Sequence, residues 1–246
     1  RGTMGRALAL MLGAVQFGGP AALTAREFGN AINMAGRQRM LTQKMSKEFF
    51  LTAKGYAPEA NRANLAASLA LFHDSLEKLI NGSAADGIPA APSDYSLRHL
   101  LEERKLWLPF KATLEDSMDK DTIPAAALDY VRTWNMPLLA QADKATAALV
   151  LDANKADVQT AGPQVDLAGR QRMLSQKMSK EAVMISLNMD MPAIQKTLKG
   201  TLGLFASTHL ALLRGMKVVG LTSTRSICVL QQMRVVSDVW EDFQAL

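Results

Sequence analysis

Asn33-Met-Ala-Gly-Arg-Gln-Arg-Met-Leu-Thr-Gln-Lys-Met-Ser-Lys-Glu48 returns later in the chain as Asp166-Leu-Ala-Gly-Arg-Gln-Arg-Met-Leu-Ser-Gln-Lys-Met-Ser-Lys-Glu181, identical at 13 of 16 positions and displaced by 133 residues. The same offset, without a gap, carries Phe72 to Phe205, Leu79 to Leu212, Gly82 to Gly215, Gly87 to Gly220, Trp107 to Trp240 and Phe110 to Phe243. A match sustained over that distance means that a whole structural unit is duplicated, and not only a short motif.

Ala, Leu, Met, Gln, Lys and Glu dominate each unit and runs of β-branched residues are scarce, so local propensity favours helix nearly throughout. Breakers divide the first unit into four helices. The first spans about 26–54 and is closed by Gly55 and Pro58. The second spans about 61–80, with Leu65, Leu69, Phe72, Leu76 and Leu79 at helical spacing. After a Gly/Ala/Pro/Ser loop at 81–93, a third helix over about 93–118 starts at the cap candidates Ser93 and Asp94 and holds Pro109 as a kink. A fourth, about 121–152, begins near Pro124 and is interrupted at Pro137. Gly162-Pro163 separates the halves. Leu246 corresponds to Thr113, so the second unit as given repeats three helices; either its fourth is absent or the chain is truncated. The expected fold is all-α: tandem antiparallel four-helix bundles, over 26–158 and 159–246, the second with or without its last helix.

Residues 1–25 read differently. Arg1 and Arg6 precede the apolar run Ala7–Val15, followed by Gly18-Gly19-Pro20 and Ala21-Ala22-Leu23-Thr24-Ala25, the layout of a secretory signal peptide. Export to the periplasm is therefore expected, with an uncleaved N-terminal membrane anchor as the alternative. No later segment approaches the roughly 20 apolar residues of a membrane span.

Composition narrows the function. At 246 residues and 48% hydrophobic content the chain can fill a core. Its net charge of +5 is scattered, with no dense Lys/Arg tract, which argues against nucleic-acid binding. Cys228 stands alone, so no internal disulfide framework exists, and it reads as a small buried hydrophobe. His73, His99 and His209 show no metal-site spacing. Met40, Met45, Met173, Met178, Met184, Met189 and Met191 invite a copper reading, but most fall at core spacing without His or Cys companions. No phosphate loop, nucleophile–base pair or shared carboxylate pair is visible, so neither an enzyme nor a cofactor is expected.

On a helix the repeated box places Ile32, Ala35, Gly36, Arg39, Thr42, Gln43 and Ser46 on one stripe, and Ala168, Gly169, Arg172, Ser175, Gln176 and Ser179 on its copy. Glycine inside a helix costs about 1 kcal/mol relative to alanine, so Gly36 and Gly169 suggest a close helix contact. Arg37 and Arg170 suit solvated faces, and Lys44 with Glu48, like Lys177 with Glu181, suits a surface i,i+4 pair. Arg39 and Arg172 lie on the small-residue seam with no acid on the same stripe. Either a partner carboxylate or a bound anion must therefore supply their acceptor.

Ala35-Gly-Arg-Gln-Arg-Met-Leu-Thr-Gln-Lys-Met45 and its copy Ala168–Met178 resemble the signature of the PilJ-type sensor domain, which is also the extracytoplasmic input module of the nitrate/nitrite sensor kinases NarX and NarQ. The resemblance implies a periplasmic four-helix bundle whose first helices meet in pairs, one arginine from each holding a single nitrate. It places that role on Arg39 and Arg172, with Gly36 and Gly169 beside them and Arg37, Arg170, Gln43, Gln176 and Asn33 as secondary candidates. Arg37-Gln38 and Arg170-Gln171 follow the PilJ branch, for which anion binding is a firmer expectation than nitrate itself. The implied function is sensing of a small oxyanion, nitrate or nitrite, with a membrane receptor or histidine kinase as partner and a homodimer as the competing way to pair the boxes. A structural or assembly module with no small ligand is the alternative.

Overall fold

The computed structural model describes residues 22–120, 122–157, 162–216, 221–223 and 226–244. The signal-peptide reading rests almost wholly on residues 1–21, which lie outside the described residues. Within them, the helices are α1 (Ala25–Ala53), α2 (Pro58–Asn81), α3 (Asp94–Met118), α4 (Ala125–Lys155), α5 (Gly162–Ser186), α6 (Met191–Arg214) and α7 (Ile227–Gln244), with no strand longer than an isolated bridge. No described helix is long and apolar enough to cross a membrane.

Each start has a local cause. Thr24 caps α1 in a capping box with Glu27, and Ser93 caps α3 through the Ser96 amide. Pro58 sits in the first turn of α2, where its missing N–H costs nothing. The duplication extends to the backbone: Ala57 and Asp190 both take the left-handed conformation, with φ 39° and 42°. The loop bridges Ser83 to Ile88 and Met216 to Leu221 likewise stand 133 residues apart.

α1 to α4 form an antiparallel bundle around Ile32, Met45, Phe49, Leu65, Phe72, Leu76, Trp107, Phe110 and Val131, all fully buried. Phe72 packs on Trp107 with ring centroids 4.2 Å apart, and Phe205 packs on Trp240 at 4.4 Å, so α6 and α7 repeat the α2–α3 contact. Lys44 bonds Glu48 and Ser68, tying α1 to α2, while Lys177 bonds Glu181 and Thr201, tying α5 to α6. These pairs do not lie on the surface as their i,i+4 spacing suggested, because Glu48, Lys177 and Glu181 are buried against the neighbouring helix. The two units meet through α1 and α5, which run parallel in the most extensive helix–helix contact of the molecule.

Other expectations also change. α4 runs unbroken through Pro137, and α3 through Pro109. A proline removes one intrahelical bond, but α4 is packed between α1 and α3 along its length and tertiary contact outweighs that loss. Gly162 and Pro163 open α5 where a linker was expected, a position that suits proline. Cys228 is exposed in the first turn of α7, at the position equivalent to the exposed Tyr95 of α3. Met45, Met173, Met178 and Met184 are buried in the core, but Met191 is exposed.

Candidate functional site

The repeated box builds the α1–α5 contact. At the crossing the backbones approach so closely that a Cβ placed on Gly169 would stand 3.6 Å from the Gly36 Cα. The Nη2 atoms of Arg39 and Arg172 lie 3.0 and 3.6 Å from that same point, so the two guanidinium groups meet at the glycine window. The stripe read from the sequence thus lies along the seam, and it brings Gly36, Gly169, Arg39 and Arg172 together.

The bonds across the seam come in reciprocal pairs. Arg172 Nη2 donates to Asn33 Oδ1 at 3.0 Å, and Arg39 pairs with Asp166, the residue equivalent to Asn33, at 2.7 Å. Farther along, Lys47 Nζ donates to Gln176 Oε1 and Lys180 Nζ donates to Gln43 Oε1, each at 2.8 Å. Lys47 and Lys180 are themselves equivalent, so α1 and α5 form an isologous interface about a pseudo-two-fold axis within one chain. Gln43 and Gln176 thus accept from lysines farther along the seam than the arginine pair.

The symmetry breaks where α4 enters. Arg39 is only 1% exposed and is held by Asp143 of α4 at 2.8 Å as well as by Asp166, its Nη2 also donating to the Asp166 carbonyl at 3.1 Å. A buried guanidinium without such partners would be strongly destabilising. Its Nε remains buried without an acceptor. Arg170 lies 3.2 Å from Asp143 and 3.4 Å from Asp166, completing a network of two arginines and two aspartates. Of the two sources of an acceptor left open by the sequence, a partner carboxylate is the one present for Arg39, so the paired guanidinium charges do not leave this side strained.

Arg172 differs. It is exposed at the surface and, among the described residues, has no carboxylate within ion-pair distance. Partial burial, then the like charges of Arg37 and Arg39, hold its guanidinium below the ordinary arginine value. Arg37 is half-buried and likewise forms no ion pair among the described residues. Four arginines thus face two aspartates, with the excess charge on the Arg172 side.

Asp143, Lys47 and Lys180 escaped the sequence reading. The one available signal was the Asn33/Asp166 exchange inside otherwise matched boxes, which marks the position that pairs with the arginine of the opposite copy. Lys180 is enclosed by Gln43 of α1 and Asn135 of α4, the latter at 2.6 Å, and burial brings its ammonium down to about 7.

No curated protein and no solved structure matches the chain. The family described as type IV pili methyl-accepting chemotaxis transducer N-term, PilJ, matches residues 24–133 and again 156–246. Each segment contains one box and the helices that position it, and together they take in most of the chain. The protein therefore belongs to the PilJ family, as two tandem copies of a chemotaxis-transducer sensor module.

Proposed function

We propose that this chain is an exported, periplasmic sensor that takes a small planar oxyanion, nitrate or nitrite, at the Arg172 side of the α1–α5 crossing and reports it to a membrane receptor or kinase. The observation that carries the reading is Arg172 itself, an arginine on the glycine window beside Arg39 with Asn33 as its only side-chain acceptor among the described residues. A planar guanidinium fork matches a planar oxyanion, and an anion there would offset the repulsion from Arg37 and Arg39. Arg39, enclosed by two aspartates, then contributes charge and shape more than direct ligation. No catalysis is assigned to the site.

A second reading has its own support. Asp143 and Asp166 already supply Arg39 with internal anions, as expected of a module whose arginines serve assembly alone. Calorimetric titration with nitrate, nitrite, chloride and sulfate separates the two. On the sensing reading, one nitrate or nitrite binds per chain, and Arg172→Ala weakens it by about tenfold to a hundredfold, the worth of a charge-assisted hydrogen bond. Arg172→Lys also weakens it, because the fork is lost. Absence of heat with all four anions leaves the assembly reading standing.

A further inference from the structure

One end of the first unit holds a cavity that the arginine site does not use. It measures about 940 Å³ and lies where α1 and α3 begin and α2 and α4 end. Leu23, Phe28, Ile88, Pro89 and Pro92 are among its walls, and Asp152 and Lys155 of α4 supply charge. A volume of that order suits a small organic ligand. One wall is the 82–92 loop, and it is fixed in place. Ser83 and Ile88 exchange backbone bonds at 2.7 and 2.9 Å, Asn30 donates to the Gly87 carbonyl, and Lys78 pairs with Asp86. Gly82 takes φ 83°, with the Ala90 nitrogen 2.8 Å from where its Cβ would stand, so the loop folds back tightly on itself.

The polar groups of this cavity are few and unevenly satisfied. Asp152 is 7% exposed and, among the described residues, forms no ion pair. Its side-chain donor is the Ser93 hydroxyl, 2.9 and 2.7 Å from the two carboxylate oxygens. A hydroxyl has one proton whereas a carboxylate accepts about four bonds, so acceptor capacity is left over where burial makes it costly. The N-terminus of α3, which the same serine caps, offsets part of that cost. The hydroxyl lies between the two oxygens, on the edge that a guanidinium fork would take, and leaves the outer lone pairs to a single-point donor such as an ammonium. Lys155, nearly one turn on along α4, is exposed and likewise forms no ion pair among the described residues. Glu27, the other acid on the wall, is committed to the α1 cap, where it accepts from the Thr24 amide and hydroxyl. Among the described residues no three His, Cys, Asp or Glu side chains gather, so a metal ion is not the cation that fits.

The duplication did not carry these walls into the second unit. Phe28, Pro89 and Pro92 are replaced there by Ala161, Thr222 and Arg225, so the apolar lining is particular to the first unit. We propose that this cavity binds an amino acid with an apolar side chain: the ammonium bonds the free acceptors of Asp152, the carboxylate pairs with Lys155, and the side chain lies against Phe28, Ile88 and Pro89. A bare amine fits less well because Lys155 repels it, and a bare acid fits less well because Asp152 does. The zwitterion answers both charges at once. The inference is independent of anion binding at Arg172, since neither Arg172 nor Asn33 is among these walls.

Calorimetric titration of the full chain with phenylalanine, leucine and methionine tests it. The matching amine and acid of each, such as 2-phenylethylamine and 3-phenylpropanoate, serve as the same ligand stripped of one charged group. The expected result is one amino acid per chain, with both stripped analogues weaker by about tenfold or more, each having lost one charge-assisted contact. Asp152→Asn keeps an oxygen for the Ser93 hydroxyl, so Tm and helix content should hold while the amino acid binds about tenfold more weakly. Lys155→Met, on an exposed side chain, should weaken the amino acid but not the amine. Arg172→Ala should change none of these results, which separates this outcome from that of the anion titrations. Absence of heat with all three amino acids at millimolar concentration overturns the proposal. So does an analogue that matches its amino acid, or binding that ignores both Asp152→Asn and Lys155→Met.

Discussion

Glu103 is buried in α3 with its Oε1 unpartnered, and burial pushes its carboxyl up to about 8. Its twin is Val236, so this helix position tolerates an aliphatic side chain. Unfolded, the acid titrates near 4.5, so between that pH and 8 the folded chain holds a proton that the unfolded chain has lost. The contribution to stability is complete below 4.5 and is lost as pH rises through 8, up to about 3–4 kcal/mol between pH 5 and 8. Lys180 acts in the opposite sense. Its folded value of about 7 lies below the ordinary 10.5, so it penalises folding at low pH and the penalty lifts as pH rises from 7 towards 10.5. Urea unfolding across a pH series should show Glu103→Gln flattening the acid-to-neutral fall and Lys180→Met removing the alkaline rise. A wild-type slope in either variant would falsify that residue's assignment.

Among the helices, the glycines of α5 and α6 carry opposite expectations. A Cβ on Gly169 would meet Arg39 Nη2 at 3.0 Å with the Gly36 backbone behind it, so Gly169→Leu must part α1 from α5 and should cost about 2–4 kcal/mol, as overpacking with loss of buried ion pairs does. Gly200 and Gly203 in α6 have nothing within 4 Å of an added Cβ, so alanine at each should stabilise by about 0.5–1 kcal/mol through helix propensity. Chemical denaturation of the three variants checks the contrast, and equal effects at Gly169 and Gly203 would deny the close crossing. This crossing was legible in the sequence, because Ala35, Gly36 and Arg39 share a stripe and recur 133 residues later. Asp143 was not, since it lies 104 residues from Arg39 and periodicity reports which face is buried, not what is buried against it. Pro137 misled for a related reason: a local breaker rule carries no information about a helix packed on both sides. Cys228 was misplaced because it lies on the solvent side of its helix, as does its twin Tyr95 in the first unit.

At the scale of the molecule, one chain reproduces an interface that would otherwise need two copies, and α4 covers just one side of it. Arg39 is closed over by the carboxylates of Asp143 and Asp166, whereas Arg172, among the described residues, bonds only the neutral side chain of Asn33. The two sides of one crossing should therefore answer the same exchange differently. Asn33→Asp would give Arg172 the carboxylate that its twin receives from Asp166, and that carboxylate would compete with a free oxyanion for the same guanidinium edge. In chains carrying Asn33→Asp, nitrate should therefore bind about tenfold more weakly in calorimetric titration, with sodium chloride of equal ionic strength as the screening control. Nitrate that binds Asn33→Asp as tightly as the unaltered chain would take the anion away from Arg172 and remove this reading of the site.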